Sequence, residues 1–120
     1  MTKRIIIVDD EPSILSGLSK AINKLCNFHG EIITVENGKD AIKKISLCFY
    51  DICFLDIQLP DLNGLDVMRR VSEISPKTKI VIMTASFITN DIERAIKENG
   101  ALLIEKPIDL YEVRAFITHI

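Results

Sequence analysis

The chain has 120 residues, of which 48% are hydrophobic and 27% are charged, with a formal net charge of -2. This balance predicts a single globular domain over residues 1–120, and the slightly acidic charge argues against direct nucleic-acid binding. Apolar runs such as residues 5–8 are too short to span a bilayer, and the first residues lack the apolar stretch of a secretory signal. We therefore expect a cytoplasmic location and no membrane partner.

The cysteines and histidines do not suggest a catalytic or zinc-binding centre. Cys26, Cys48 and Cys53 lack the spacing of metal ligands, and we expect them to be reduced, with Cys53 acting as a small hydrophobic group in an apolar run. His29 and His119 have no carboxylate cluster near them in the sequence. A zinc site or a histidine-based triad is therefore not expected.

Strand-like and helix-like segments alternate along the chain. The predicted strands cover residues 4–8, 32–35, 51–55, 79–83 and 102–104. The predicted helices lie where apolar residues recur at three- and four-residue spacing, within residues 12–25, 41–45, 65–71, 92–96 and 110–117. Five such units predict an α/β fold, a doubly wound five-stranded parallel sheet with helices on both faces. Right-handed crossovers favour the flavodoxin-like strand order 2-1-3-4-5.

Polar residues follow the predicted strands at the edge where such sheets bind ligands. Asp9 and Asp10 follow strand one and Asp56 follows strand three; since these strands are neighbours in the predicted order, the three carboxylates should converge. Thr84 and Lys106 follow strands four and five. Carboxylates in one crevice repel one another unless a cation neutralises them, and oxygen ligands favour Mg²⁺, Mn²⁺ or Ca²⁺ over Zn²⁺. Mg²⁺ fits best, because one or two carboxylates can hold it while waters remain bound.

Each of these residues also has a simpler interpretation. Acidic residues before Pro12 are typical of a helix start, and a lone aspartate after a strand is usually a turn residue. A lone threonine is usually a helix cap, and a lone lysine is usually solvated. The combination favours a site, because the predicted topology brings all of these residues to one edge.

Four segments carry a resemblance to a known family. They are IIIVDDE at residues 5–11, DIQLPDLNG at 56–64, MTA at 83–85 and KP at 106–107. Each segment alone is weakly specific, but all four in this order and at these spacings are highly specific. The chain resembles the receiver domains of two-component response regulators over essentially its whole length.

The resemblance implies a role for each acidic position. Asp56 would accept a phosphoryl group from a phosphohistidine on a sensor histidine kinase or a histidine phosphotransfer protein. Asp10 would bind Mg²⁺ directly and Asp9 through a water, while Asp56 and the backbone carbonyl of Gln58 would complete the ligands. Mn²⁺ or Ca²⁺ could occupy the same site.

The resemblance also implies a switch. Lys106 would pair with the phosphoryl oxygens, Thr84 would donate its hydroxyl to them, and the Lys106–Pro107 bond would be cis. Phosphorylation would alter the surface of helix 4, strand 5 and helix 5, where an output domain, a partner or a second copy would bind. The protein would promote its own phosphoryl transfer and slow dephosphorylation, and would not be an enzyme in the usual sense.

Two positions depart from the family pattern. Leu103 stands where an aromatic switch residue is usual, and Phe87 and Tyr111 are the aromatic residues nearby in sequence. Gly100 is one residue closer to Lys106 than the family pattern leads us to expect. A modified output surface and a neutral loop deletion both fit this shortening.

Gln58 and Ser86 stand at the positions that tune phosphate lifetime in the family. Because neither is a carboxylate that could orient an attacking water, we expect a phosphorylated state that is not unusually short-lived.

Three other functions share parts of this pattern. Aspartyl-phosphate phosphatases typically carry a second aspartate where this chain has Gln58, and they need a cap domain that 120 residues cannot hold. A flavodoxin-like FMN protein shares the fold, but the acidic run at 9–11 would repel its phosphate. A module that binds a partner without being phosphorylated is open on any such fold. The complete set of carboxylates, hydroxyl and lysine argues against it.

Overall fold

The computed structural model describes residues 2–85 and 87–120. The strands are β1 Arg4–Val8, β2 Glu31–Val35, β3 Ile52–Asp56, β4 Lys79–Thr84 and β5 Leu102–Glu105. The helices are α1 Pro12–Leu25, α2 Gly38–Leu47, α3 Gly64–Ile74, α4 Asn90–Glu98 and α5 Leu110–Thr118. Within the described residues, none of these helices combines the length and the apolar character that a bilayer crossing requires.

All five strands pair in parallel in the order β2-β1-β3-β4-β5, which confirms the predicted α/β fold and strand order. The order reverses between β1 and β3, where Val8 lies opposite Leu55. Asp9 directly follows Val8, and Asp56 directly follows Leu55. These two aspartates therefore lie side by side at the same end of the sheet. We call this end of the sheet the carboxyl edge and the opposite end the amino edge.

The sheet separates two apolar clusters. One face packs against α1 and α5, and the other against α2, α3 and α4. In β1, Ile5 and Ile7 belong to the first cluster and Ile6 and Val8 to the second, and all four are fully buried. Successive side chains of a strand point to opposite faces, so burial of both faces explains the absence of polar alternation. Each such side chain stabilises the fold by about 1.5–3 kcal/mol.

Side-chain caps determine where the helices begin at the carboxyl edge. Asn37, Asn63, Thr89 and Asp109 each accept a hydrogen bond from a backbone N–H in the first turn of the helix that follows. These caps satisfy N–H groups that have no partner inside the helix. The helix starts therefore hold the loops that surround the strand ends.

The amino edge holds a second group of polar contacts. Asp51 Oδ2 accepts the backbone N–H of Arg4 at 2.8 Å, and Asp51 Oδ1 lies 3.7 Å from Lys3 Nζ. Thr78 Oγ1 donates to the backbone carbonyl of Tyr50 at 2.7 Å, and both residues are buried. β3 begins one residue later than predicted, after Asp51, whose side chain is occupied by the neighbouring strand.

Candidate functional site

Three polar side chains are buried at the carboxyl edge. Asp9, Asp56 and Thr84 are 0%, 5% and 2% exposed. Asp56 and Thr84 are the last residues of β3 and β4, one residue further than predicted, and they pair in register with Met83 and Glu105. Their backbone positions are thus set by the sheet and not by a loop.

Lys106 joins two of the buried carboxylates. Its Nζ donates to Asp9 Oδ2 at 2.8 Å and to Asp56 Oδ2 at 3.2 Å, and it lies 3.7 Å from Glu11 Oε1. The backbone N–H of Lys106 donates to the Thr84 carbonyl at 2.7 Å, which ties the lysine to the end of β4. The Lys106–Pro107 peptide bond is cis, as predicted.

A further acidic group surrounds the end of β1. One carboxylate oxygen from each of Asp9, Asp10 and Glu11 lies within 4.8 Å of the others. Glu11 directly precedes α1, yet its side chain makes no capping hydrogen bond. Helix capping therefore does not account for this side chain, which instead approaches Lys106. Sequence reasoning did not select Glu11, although its place directly after two candidate aspartates was a usable signal.

The ionisation of the site follows from burial and charge. Burial raises the pKa of Asp56, the backbone N–H of Gln58 lowers it, and the charges of Asp9 and Lys106 act in opposite directions. Burial alone lowers the pKa of Lys106, but its hydrogen bond to Asp9 and the charges of Asp56 and Asp9 outweigh burial and raise the pKa. Lys106 is thus held as a cation between carboxylates.

Negative charge exceeds positive charge in this group. Among the described residues, Lys106 is the one cation that forms ion pairs with this group, to Asp9, Glu11 and Asp56, while Asp10 adds a fourth carboxylate beside them. Like charges this close repel one another, and a further cation at this place would offset that repulsion. The residues therefore fit a hard cation that prefers oxygen ligands.

Gln58 lies beside Asp56 in the loop that follows β3. Its backbone N–H donates to Asp56 Oδ1 at 3.0 Å, and it forms an isolated antiparallel bridge with Asn63. The hydrogen bond from the Gln58 N–H to Asp56 Oδ1 is the kind that an ordinary aspartate makes in a turn. That role does not explain the second oxygen of Asp56, which is bonded to Lys106.

Comparison with known proteins bears on this arrangement. A family model described as the response regulator receiver domain matches residues 5–118. The chain belongs to this family. Two curated relatives have nearly the same length as this chain. Chemotaxis protein CheY of Thermotoga maritima is 32% identical, over 89% of this chain and 88% of that protein. Sporulation initiation phosphotransferase F of Bacillus subtilis is 30% identical, over 95% of this chain and 90% of that protein.

A solved structure agrees with the receiver fold. The CheY-like receiver domain protein of Methanospirillum hungatei gives a TM-score of 0.89 at 23% identity, over 99% of this chain and 93% of that chain. At this identity the likeness shows the fold alone. Other relatives are longer: the receiver domain described here spans 42% of the transcriptional regulatory protein TrcR of Mycobacterium tuberculosis.

A cavity of about 390 Å³ lies on the α4 side of the receiver site. Its lining includes Thr84, Phe87, Leu103 and Lys106. Leu103 packs partly buried against the α2–α4 cluster, while Phe87 is 99% exposed. Of the two aromatic residues noted in the sequence, Phe87 therefore lies at this cavity, whereas Tyr111 lines a different one.

Two sequence-based hypotheses remain predictions. Gly100 follows α4 with a φ of 69°, a conformation that suits glycine. The effect of the short link between α4 and β5 on signalling stays a prediction. Ser86, one of the two positions expected to tune phosphate lifetime, lies outside the described residues.

Proposed function

We propose that this receiver domain accepts a phosphoryl group on Asp56 from a phosphohistidine donor in a two-component phosphorelay, and that this changes its binding to partners. The observation that carries the proposal is the position of Asp56. It is buried at the end of β3, one oxygen is bonded to the Lys106 ammonium group, and the acidic group of β1 lies beside it. A carboxylate placed among charged groups in this way is suited to act as a nucleophile.

The proposal includes a bound Mg²⁺ ion. Asp10, Asp56 and the Gln58 carbonyl would hold it directly and Asp9 through a water, a set of hard oxygen donors that also accepts Mn²⁺ or Ca²⁺. When bound, the ion offsets negative charge on the carboxylates and on the phosphoryl oxygens. The acidic group around Asp9 supports this assignment because one lysine leaves it undercompensated.

In the proposed transfer, an oxygen of Asp56 bonds to phosphorus as the P–N bond of the donor breaks. The imidazole nitrogen keeps the bonding electrons and takes up a proton from solvent water, so that a neutral histidine leaves. Lys106, already 3.2 Å from Asp56, would donate to a phosphoryl oxygen, and Thr84 would donate its hydroxyl to another. Since the acceptor is the domain itself, it promotes its own phosphorylation and slow dephosphorylation and is not an enzyme for another substrate.

The proposed phosphoryl donor is a sensor histidine kinase or a histidine phosphotransfer protein. The proposed location of the transfer is the cytoplasm. The responding surface comprises α4, β5 and α5, where an output domain, another partner or a second copy would bind. Thr84 and Leu103 line one cavity beside α4. Movement of Thr84 towards the phosphoryl group would leave room for Leu103 to shift, which would carry the change to α4.

The test is phosphorylation by acetyl phosphate with MgCl₂, followed by intact mass. The wild type should gain one phosphoryl group, Asp56→Asn should gain none, and Asp66→Asn, on an exposed part of α3, should behave as the wild type. Equal labelling of the wild type and Asp56→Asn would refute the phosphoacceptor assignment. Full labelling in EDTA would refute the role of the cation.

A further inference from the structure

One carboxylate attaches the loop between β3 and α3 to the start of α2. Asp61 Oδ1 accepts the backbone N–H of Gly38 at 2.8 Å, and Oδ2 accepts that of Lys39 at 2.9 Å. Burial alone raises the pKa of Asp61, but these and other backbone donors outweigh it and lower the pKa. Both oxygens are thus engaged in charge-assisted hydrogen bonds to a segment 22 and 23 residues away.

The start of α2 also has a local cap. Asn37 Oδ1 accepts the N–H of Asp40 at 2.8 Å, and the Asn37 carbonyl accepts the N–H of Ala41 at 3.3 Å. Asp61 supplies acceptors for the two N–H groups before these. The helix start is therefore built from a local residue and from a residue of the β3–α3 loop, and the loop is held by the same bonds.

The loop held by Asp61 is the one that carries Gln58. Gln58 is bonded to Asp56 on one side and bridged to Asn63 on the other. At the tip of the loop, Leu62 packs so closely on Gly38 that a Cβ added there would lie 3.1 Å from Leu62 Cδ1. Two hydrogen bonds and one apolar contact thus dock the loop tip on α2.

We propose that Asp61 is a positioning residue for the cation site. By docking the loop on α2, it holds the backbone of Gln58 in the orientation that its carbonyl needs as a ligand. This inference rests on the proposed function, which makes that carbonyl a Mg²⁺ ligand. Removal of a group that orients a metal ligand typically weakens binding by about tenfold or more, and we expect about tenfold for Asp61→Ala.

The experiment is a titration of the unphosphorylated protein with MgCl₂, followed through the amide NMR signal of Gln58. Asp61→Ala should raise the Kd for Mg²⁺ about tenfold, and Asp61→Asn, which keeps one acceptor oxygen, should raise it by a smaller factor. Asn37→Ala is the matched control, because it weakens the same helix start without releasing the loop. It should bind Mg²⁺ with the wild-type Kd.

The outcomes separate the inference from the function on which it rests. If Asp61→Asn and Asp61→Ala both keep the wild-type Kd, or if Asn37→Ala weakens binding as much as Asp61→Ala, then Asp61 only caps α2 and the inference is wrong. If Asp61→Ala does not fold, the Kd values of Asp61→Asn and Asn37→Ala for Mg²⁺ are compared instead, and the same criteria apply. If the wild type shows no saturable response to Mg²⁺, the cation part of the proposed function fails.

Discussion

The two edges of the sheet both contain buried polar groups, and they satisfy those groups in different ways. At the amino edge, Thr78 donates to the Tyr50 carbonyl and Asp51 accepts the N–H of Arg4. Each of these groups thus forms a hydrogen bond with a backbone group of the protein itself. These contacts join the ends of neighbouring strands and need no external group.

At the carboxyl edge, Asp9 and Asp56 share the ammonium group of Lys106, and burial raises the pKa of Asp56. The partners within the chain leave negative charge uncompensated there. Burial of a polar group is therefore not by itself evidence of a ligand-binding site. Polar groups indicate a site where the protein leaves charge that a ligand can balance.

The largest effect should come from Lys106→Met. Asp9 and Asp56 would lose their shared cation, and removal of one partner of a buried ion pair typically costs about 3–5 kcal/mol of unfolding free energy. Urea unfolding in EDTA measures this change, and added MgCl₂ should recover part of it.

Lys97→Met is the control for that variant. Lys97 pairs with Glu93 at 3.4 Å on the exposed surface of α4, where ion pairs contribute little. Equal unfolding midpoints for the Lys106 and Lys97 variants would show that charge at the carboxyl edge is not coupled to stability.

A change at the amino edge should affect stability alone. Thr78→Val removes the buried donor to the Tyr50 carbonyl, and an unsatisfied buried acceptor costs about 1–3 kcal/mol. Labelling by acetyl phosphate should stay at the wild-type level. Thr118→Val, which removes an exposed hydroxyl bonded to the Arg114 carbonyl, is the matched control and should unfold close to the wild type. Reduced labelling of folded Thr78→Val would contradict the separation of the two edges.

Alkaline pH should weaken the apolar region next to the amino edge. Burial raises the pKa of Cys53 from 9.0 to about 12, and burial and a hydrogen bond with Cys48 raise that of Tyr50 from 10.0 to about 12. At a pH between the unfolded and the folded pKa of each group, the native state binds more protons than the unfolded state. Stability is therefore fully present below pH 9 and falls towards pH 12, by at most about 1.4 kcal/mol per pH unit for each group.

Cys53→Ala tests this pH dependence. Its free energy of unfolding, measured by urea at several pH values between 8 and 11, should fall less steeply than that of the wild type. Parallel curves for the two proteins would mean that Cys53 does not titrate differently in the folded and unfolded states.

The smallest effect should come from Glu11→Gln. Glu11 is exposed and lies 3.7 Å from Lys106, so its loss should change stability by less than about 1 kcal/mol. A unit charge about 7 Å from a divalent cation in water contributes on the order of 1 kcal/mol, so Mg²⁺ affinity should fall about fivefold. Calorimetric titration with MgCl₂ measures this; an unchanged affinity would place Glu11 outside the electrostatic site.

The order of the strands and the edge of the sheet that carries the polar residues were predictable from the sequence. Buried parallel strands are continuous apolar runs, and the crossover rule limits how they can be arranged. The ends of β3 and β4 were predicted one residue short, because Asp56 and Thr84 are polar and look like loop residues. Sheet register, which no local pattern reveals, extends both strands to them.

The contacts of Asp61 could not be predicted from sequence. Gly38 and Lys39 are distant in the chain, and a single aspartate in a turn is ordinary. Only the packing of α2 beside α3 brings these residues together. The role of Asp10 stays a prediction because it depends on a bound cation, and the roles of Thr84 and Leu103 stay predictions because they concern the phosphorylated state.

The alternation of side chains along the strands has a consequence for how such a domain diversifies. Asp56 follows Phe54 on the face of α1 and α5, whereas Thr84 follows Ile82 on the face of α2, α3 and α4. The Asp56 carboxylate and the Thr84 hydroxyl therefore belong to different layers. Substitutions in α4 would therefore change one part of the proposed responding surface without altering the layer that carries Asp56, whereas α5 lies in the same layer as Asp56. A change of partner at α4 and preservation of the proposed phosphoacceptor Asp56 are thus separable in this fold.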